Sequence, residues 1–140
     1  MKHLLAPIAA ITVLSGCFGA PPNEKILTDL CVELFEGDPR SLTMISGDTG
    51  SDLPTFCGCF ASQTVAEETN IDLRKDILVK MTAIREANGF DVEATAEQIQ
   101  EQVRSGEIDS FTESDFDDLG DYFRDLSTGM SDTSGICPAG

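Results

Sequence analysis

The sequence predicts an all-α fold, a small bundle of about four to five helices cross-linked by two disulfides. Apolar residues recur three and four positions apart along most of the chain, which is the spacing of one helix face. Capping residues and glycines divide the chain into segments of helical length. Four of the five cysteines lie beyond residue 30, an even number that two disulfides would use completely.

Residues 24–68 are expected to form two helices with a shorter element between them. Asn23 is expected to cap a helix over residues 24–36, because its side chain can accept a hydrogen bond from the first turn. Its apolar face consists of Ile26, Leu27, Leu30, Cys31, Leu34 and Phe35. Residues 38–45 predict a turn or short helix that begins at Asp38-Pro39. A central helix follows over residues 54–68, where Pro54 fits the first turn and Gly58 suggests close packing or a kink.

Three further helices are predicted towards the C-terminus. Asn70 should cap the first, which ends near Ala87 before Asn88-Gly89. Asp91 should cap the next over 92–104, whose thin apolar stripe places it at the edge of the bundle. Thr112 and Asp115 resemble a capping box at the start of the last, over 113–126. Its apolar face is Phe116, Leu119, Phe123 and Leu126, and residues 127–140 are expected to be a polar tail.

The cysteines of the central helix predict how the bundle is cross-linked. Cys57 and Cys59 point about 200° apart on a helix, so they should bond different partners. Cys31 and Cys137 remain as those partners. We favour the pairs Cys31–Cys59 and Cys57–Cys137, and the swapped pairing is the alternative, since sequence does not choose among the three connectivities of four cysteines.

Two other roles for Cys57-Gly58-Cys59 are thiol–disulfide exchange and metal handling. The acidic neighbours Asp52, Glu67 and Glu68 would raise a thiol pKa, which disfavours a reactive thiolate. A zinc site would require a second closely spaced ligand pair, which the cysteine spacing lacks. We therefore predict structural disulfides and no metal site or cofactor.

The N-terminus has the features of an export signal. Lys2 and His3 precede an apolar run over residues 4–14, which is shorter than the about 20 residues that span a bilayer. The run ends in Leu14-Ser15-Gly16-Cys17, which resembles the lipobox of bacterial lipoprotein precursors. The resemblance covers residues 1–17. It implies cleavage before Cys17 and acylation of this cysteine, and it gives no family for the rest of the chain.

This resemblance divides the chain into a signal peptide (1–16), a lipidated tether (17–23), a helical domain (24–137) and a short tail (138–140). It implies a lipid-anchored protein of the bacterial cell envelope that faces the periplasm, an oxidising compartment in which disulfides form. Phe18 follows the lipidated cysteine, in place of the aspartate that retains many lipoproteins in the inner membrane. We therefore expect the outer membrane rather than the inner membrane.

The composition excludes several classes of function. The chain has 9 Lys and Arg against 25 Asp and Glu, a net charge of −16, which argues against nucleic-acid binding. The acids are concentrated over residues 107–132, which we expect to be a solvated face; a cation site and a surface for a basic partner protein are the alternatives. The one histidine, His3, would leave with the signal peptide, so no histidine base or ligand would remain.

The acidic stretch partly matches a calcium-binding loop, because Asp115, Asp117 and Gly120 occupy positions 1, 3 and 6 of an EF-hand loop. Leu119 and Leu126 then occupy positions that need oxygen ligands, which argues against an EF-hand.

Three functions remain to be compared. The favoured one is a non-enzymatic envelope lipoprotein that acts as a structural or protein-interaction module. The alternative is a thiol–disulfide exchange or metal-handling protein that uses Cys57-Gly58-Cys59. The third is a lyase or hydrolase with a carboxylate pair such as Asp117 and Asp121, although exposed acids at this spacing are usually only solvated.

Overall fold

Six α-helices form the protein in a computed structural model that describes residues 21–139. They are α1 (Pro22–Phe35), α2 (Pro39–Thr49), α3 (Leu53–Glu67), α4 (Ile71–Arg85), α5 (Val92–Ser105) and α6 (Glu113–Asp132). A 3-10 turn (Glu86–Asn88) extends α4, and no strand occurs within this described part. The predicted all-α bundle with two disulfides is confirmed.

Most of the predicted helix ends agree with the structure. Asp91 caps α5 by accepting a hydrogen bond from the backbone N–H of Ala94 at 2.9 Å. Thr112 and Asp115 form a reciprocal capping box at the start of α6. Gly89 and Gly106, which end the elements before them, have φ angles of 63° and 77°, values that suit glycine at a helix C-terminus.

Two predicted caps are wrong. Helix α1 begins at Pro22, so Asn23 lies within its first turn, where its side chain accepts a hydrogen bond from Lys75 at 2.7 Å. Helix α1 therefore begins two residues earlier than predicted. Asn70 precedes α4 with a left-handed φ of 60°, and its side chain makes no capping hydrogen bond.

Two elements are longer than predicted. Residues 39–49 form a complete helix, whose last residue, Thr49, is almost fully buried. Helix α6 continues six residues past Leu126, because Met130 extends its buried face and has no exposed surface. The sequence did not predict this continuation, because the residues between Leu126 and Met130 do not continue the apolar stripe.

Helices α1 and α3 make the most extensive contact of the bundle, and α4 also packs against α1. The completely buried residues of α3 are Cys57, Phe60, Ala61 and Thr64, one stripe at helical spacing. Phe123 of α6 stacks on Phe60 with ring centroids 4.6 Å apart and meets Phe35 edge-on at 5.2 Å. This aromatic cluster holds α1, α3 and α6 together.

Helix α5 lies at the edge of the bundle, as predicted. It contacts α4 and α6, and only Thr95 and Ile99 are buried along it.

The surroundings of Gly58 differ from the prediction of a kink or close packing. Helix α3 is continuous, and a Cβ built on Gly58 would meet no atom within 4 Å. Close packing therefore does not explain the glycine.

Candidate functional site

The two disulfides join different faces of α3. Cys31 bonds Cys57 with a Cα–Cα distance of 5.5 Å, and Cys59 bonds Cys137 with a Cα–Cα distance of 5.4 Å. The prediction that the cysteines of the central helix bond different partners is confirmed. The favoured pairing of Cys31 with Cys59 and of Cys57 with Cys137 is wrong, and the swapped pairing occurs.

The physical reason lies in the orientation of α3. Cys57 begins the completely buried stripe of α3 and bonds Cys31 of α1. Cys59 lies off this stripe, one turn before Gln63, whose side-chain amide donates a hydrogen bond to the carbonyl oxygen of Pro138 at 2.9 Å. The C-terminal segment therefore lies along the other side of α3. The sequence separates the two faces but does not say which of them α1 covers.

The two bonds also differ in exposure. Cys31 and Cys57 have no exposed surface, whereas Cys137 is exposed to solvent. The buried bond lies inside the core, and the other bond ties the C-terminal segment to the surface of α3. Cys17, the predicted site of lipid attachment, lies outside the described residues.

An apolar groove of about 370 Å³ runs between α2 and α6. Phe35, Phe56 and Phe123 form its floor, and Met44 and Leu119 stand on its two walls. Met44 is 51% exposed, so part of this apolar side chain is open to solvent beside the groove. The sequence did not predict this groove, because the residues that line it come from all six helices.

Glycine contributes to the shape of the groove. Gly120 lies on the α6 wall between the apolar residues Leu119 and Phe123. A Cβ built on Gly120 would meet no atom within 4 Å, so the glycine leaves open space and no neighbouring side chain fills it. In the sequence, Gly120 matches position 6 of a calcium loop, whereas in the structure it lies inside the continuous helix α6.

The groove opens into a polar depression of about 380 Å³ at the C-terminal end of α6. The two share three lining residues, Asp48, Ser127 and Thr128, and the depression adds Gly47, Ser131 and Asp132. An apolar surface thus continues into a surface of hydroxyl groups and carboxylates.

The charge around this opening is negative. Arg124 lies on the groove wall and pairs with Asp121 at 2.9 Å and with Asp125 at 3.9 Å. Asp48 and Asp132 have no cationic partner among the ion pairs of the described chain. Of residues 21–139, Arg124 is the one basic residue that lines the groove or the depression, and it is already paired with two carboxylates. The opening therefore presents an excess of negative charge to a ligand.

The two carboxylates proposed for acid–base chemistry each contact a different side chain. Asp117 accepts a hydrogen bond from Gln100 at 3.3 Å, while Asp121 pairs with Arg124. No cluster of three or more Asp, Glu, Cys or His side chains suited to a metal ion occurs over residues 21–139. None of the helices in this range combines the length and apolar character that crossing a bilayer requires.

No protein-family model matches the chain, and no curated protein or solved structure matches it either.

Proposed function

We propose that the chain is a lipoprotein of the bacterial cell envelope, held to the membrane by acyl chains on Cys17. The protein faces the periplasm, with the outer membrane as its expected location, and it acts as a non-enzymatic module that binds a partner protein. The observation that carries this proposal is the lipobox-like Leu14-Ser15-Gly16-Cys17 after a short apolar run.

The two disulfides support an exported location. All four cysteines beyond the lipobox are paired, a use of cysteine that is typical of oxidising compartments and rare in the cytosol. Acylation of Cys17 accounts for the fifth cysteine. Two or more acyl chains give stable anchoring, whereas one chain gives reversible binding.

The arrangement of the cysteines favours a structural role over thiol–disulfide exchange. Exchange at Cys57-Gly58-Cys59 would require a bond between these two cysteines or an accessible thiolate. Cys57 is completely buried in a bond to Cys31, and Cys59 bonds the C-terminal segment. The apolar groove beside an acidic opening instead favours recognition of a partner.

Membrane fractionation of a Cys17→Ala variant tests the anchor. We expect the native chain to sediment with membranes and to be released by detergent, whereas the variant is released without it. Phe18→Ala is the matched control, since it changes the next residue and keeps the acylated cysteine. Mass spectrometry of the N-terminal peptide should find the lipid on Cys17, and membrane retention of the unmodified variant would contradict the proposal.

A further inference from the structure

We infer that the groove between α2 and α6 binds an amphipathic helix of a partner protein, with apolar side chains in the groove and Lys or Arg beside Asp48 and Asp132. This inference rests on the proposed function, because it names the surface and the partner chemistry of the interaction module. The groove shape, its unfilled volume and the charge at its opening support it.

The groove has the length of a helix-binding site. Its α6 wall includes Phe116, Gly120, Phe123 and Thr128, so it follows α6 for about three turns, or about 18 Å. An amphipathic helix places its apolar side chains at the same three- and four-residue spacing along one face. The groove volume of about 370 Å³ lies at the lower end of the range for binding pockets and is enough for a few large side chains.

The walls are suited to an apolar ligand. Met44 is half-exposed on α2, and a flexible methionine adapts its side chain to different partners. Gly120 leaves the α6 wall open at its centre, where any larger residue would occupy the groove. Leu42, a second partly exposed apolar residue of α2, extends the apolar character of this helix beyond the groove.

The charges select a basic partner. Asp48 and Asp132 line the polar depression, and Asp121 and Asp125 hold Arg124. A segment with Lys or Arg next to its apolar face would complement this opening, whereas an acidic segment would be repelled. The net charge of the chain, −16, also favours a basic partner.

Other occupants fit less well. A second copy of the chain would bring another −16 to the same surface. The N-terminal segment joins the domain at Pro22, about 20 Å along α1 from Leu34 and Phe35, which line the groove. The C-terminal segment is bonded to α3 through Cys137. A separate, basic partner is therefore the occupant that the charges and connections favour.

The test measures binding of a labelled peptide of about 18 residues, with leucines on one helical face and lysines on the other. Fluorescence anisotropy is recorded with the full chain in phosphatidylcholine nanodiscs, and empty nanodiscs give the background. Two further probes replace the lysines with glutamates or the leucines with serines. We expect each replacement to weaken binding at least about tenfold, because both charge and apolar contact contribute.

Variants locate the binding to the groove. Gly120→Leu should fill the groove and weaken binding of the leucine–lysine peptide about tenfold or more. Gly58→Leu is the matched control, since it adds the same side chain to open space outside the groove and should leave binding unchanged. Asp48→Asn combined with Asp132→Asn should weaken binding and reduce its dependence on salt.

A second variant keeps the test valid if Gly120→Leu does not fold. Met44→Lys places a positive charge on the exposed wall without touching the core, and it should weaken binding of the same peptide. Equal binding of the glutamate peptide, or unchanged binding by the folded groove variants, would overturn the inference. Membrane fractionation of the Cys17→Ala variant tests the anchor separately. If membrane retention depends on Cys17, the proposed anchor stands even when the groove does not bind the peptide. If retention does not depend on Cys17, only the anchor is overturned.

Discussion

The guanidinium of Arg85 donates a hydrogen bond to the backbone carbonyl oxygen of Leu34, with an N–O distance of 3.1 Å. The same nitrogen donates to the carbonyl oxygen of Glu36 at 2.5 Å. These carbonyls lie at the C-terminus of α1, where no residue follows in the helix to satisfy them. Arg85 is 5% exposed, so a charged side chain of α4 completes the end of α1 inside the bundle.

Replacement of this arginine should therefore destabilise the protein. We expect Arg85→Met to lower the free energy of unfolding by about 2 kcal/mol, because it leaves the two carbonyl groups without their donor. Arg40→Met is the control. Arg40 is exposed and pairs with Glu93 at the surface, so its loss should cost at most about 0.5 kcal/mol. Urea unfolding of both variants measures the difference, and equal losses would contradict the assigned role of Arg85.

The two disulfides should differ in their reactivity towards reductant. Cys137 is exposed, whereas both sulfurs of the Cys31–Cys57 bond belong to completely buried residues. A thiolate must reach a sulfur atom to exchange with it, so dithiothreitol should open Cys59–Cys137 first. Alkylation and peptide mass spectrometry at rising reductant, with circular dichroism to verify folding, measure the order. Opening of Cys31–Cys57 first in the folded protein would be inconsistent with this structure.

Gly58 offers a stabilising substitution. It lies within α3, and a Cβ there would meet open space, so Gly58→Ala should raise the free energy of unfolding by about 0.5–1 kcal/mol. Gly50→Ala provides the contrast, since Gly50 has a left-handed φ of 68° that disfavours alanine. Thermal unfolding should rank Gly58→Ala above the native chain and Gly50→Ala below it. A destabilised Gly58→Ala variant would indicate a tight contact that the structure lacks.

The capping box of α6 should contribute to stability in a pH-dependent way. Hydrogen bonds from the backbone N–H and the hydroxyl of Thr112 lower the pKa of Asp115. The folded state therefore favours the ionised carboxylate. This contribution is present above the unfolded pKa of about 4 and is lost as the pH falls through the lower folded pKa.

Asp115→Asn tests this contribution. The variant should lose less stability than the native chain when thermal unfolding is compared between neutral pH and about pH 2. Asp118→Asn serves as the control, because Asp118 is an exposed residue of the same helix that takes no part in the capping box. Identical acid profiles for Asp115→Asn and the native chain would refute a role for the cap.

Much of the fold follows from local patterns in the sequence. The apolar stripes locate each major helix, and Asp91, Thr112 and the glycines after α5 and α4 fix ends through backbone chemistry. The extension of α6 to Asp132 depends instead on burial of Met130, a tertiary contact. Asn23 is not a cap because α1 begins one residue before it, at Pro22, and the Asn23 side chain instead accepts a hydrogen bond from Lys75.

The candidate site is less predictable for a physical reason. Helical geometry separates Cys57 from Cys59, but the choice of partner depends on which face of α3 meets α1. The groove requires the relative placement of several helices. Gly120 and Met44 can be recognised as groove-lining residues only when the relative positions of α2 and α6 are known.

The two cysteines of α3, Cys57 and Cys59, join separate parts of a cross-linked domain. The most direct test is a disulfide map of unreduced protein isolated from the cell envelope, by alkylation of free thiols and peptide mass spectrometry. We predict Cys31 linked to Cys57, Cys59 linked to Cys137, and none of these four cysteines alkylated. A Cys57–Cys59 bond, or free thiols at these positions, would contradict the structural role and support thiol–disulfide exchange.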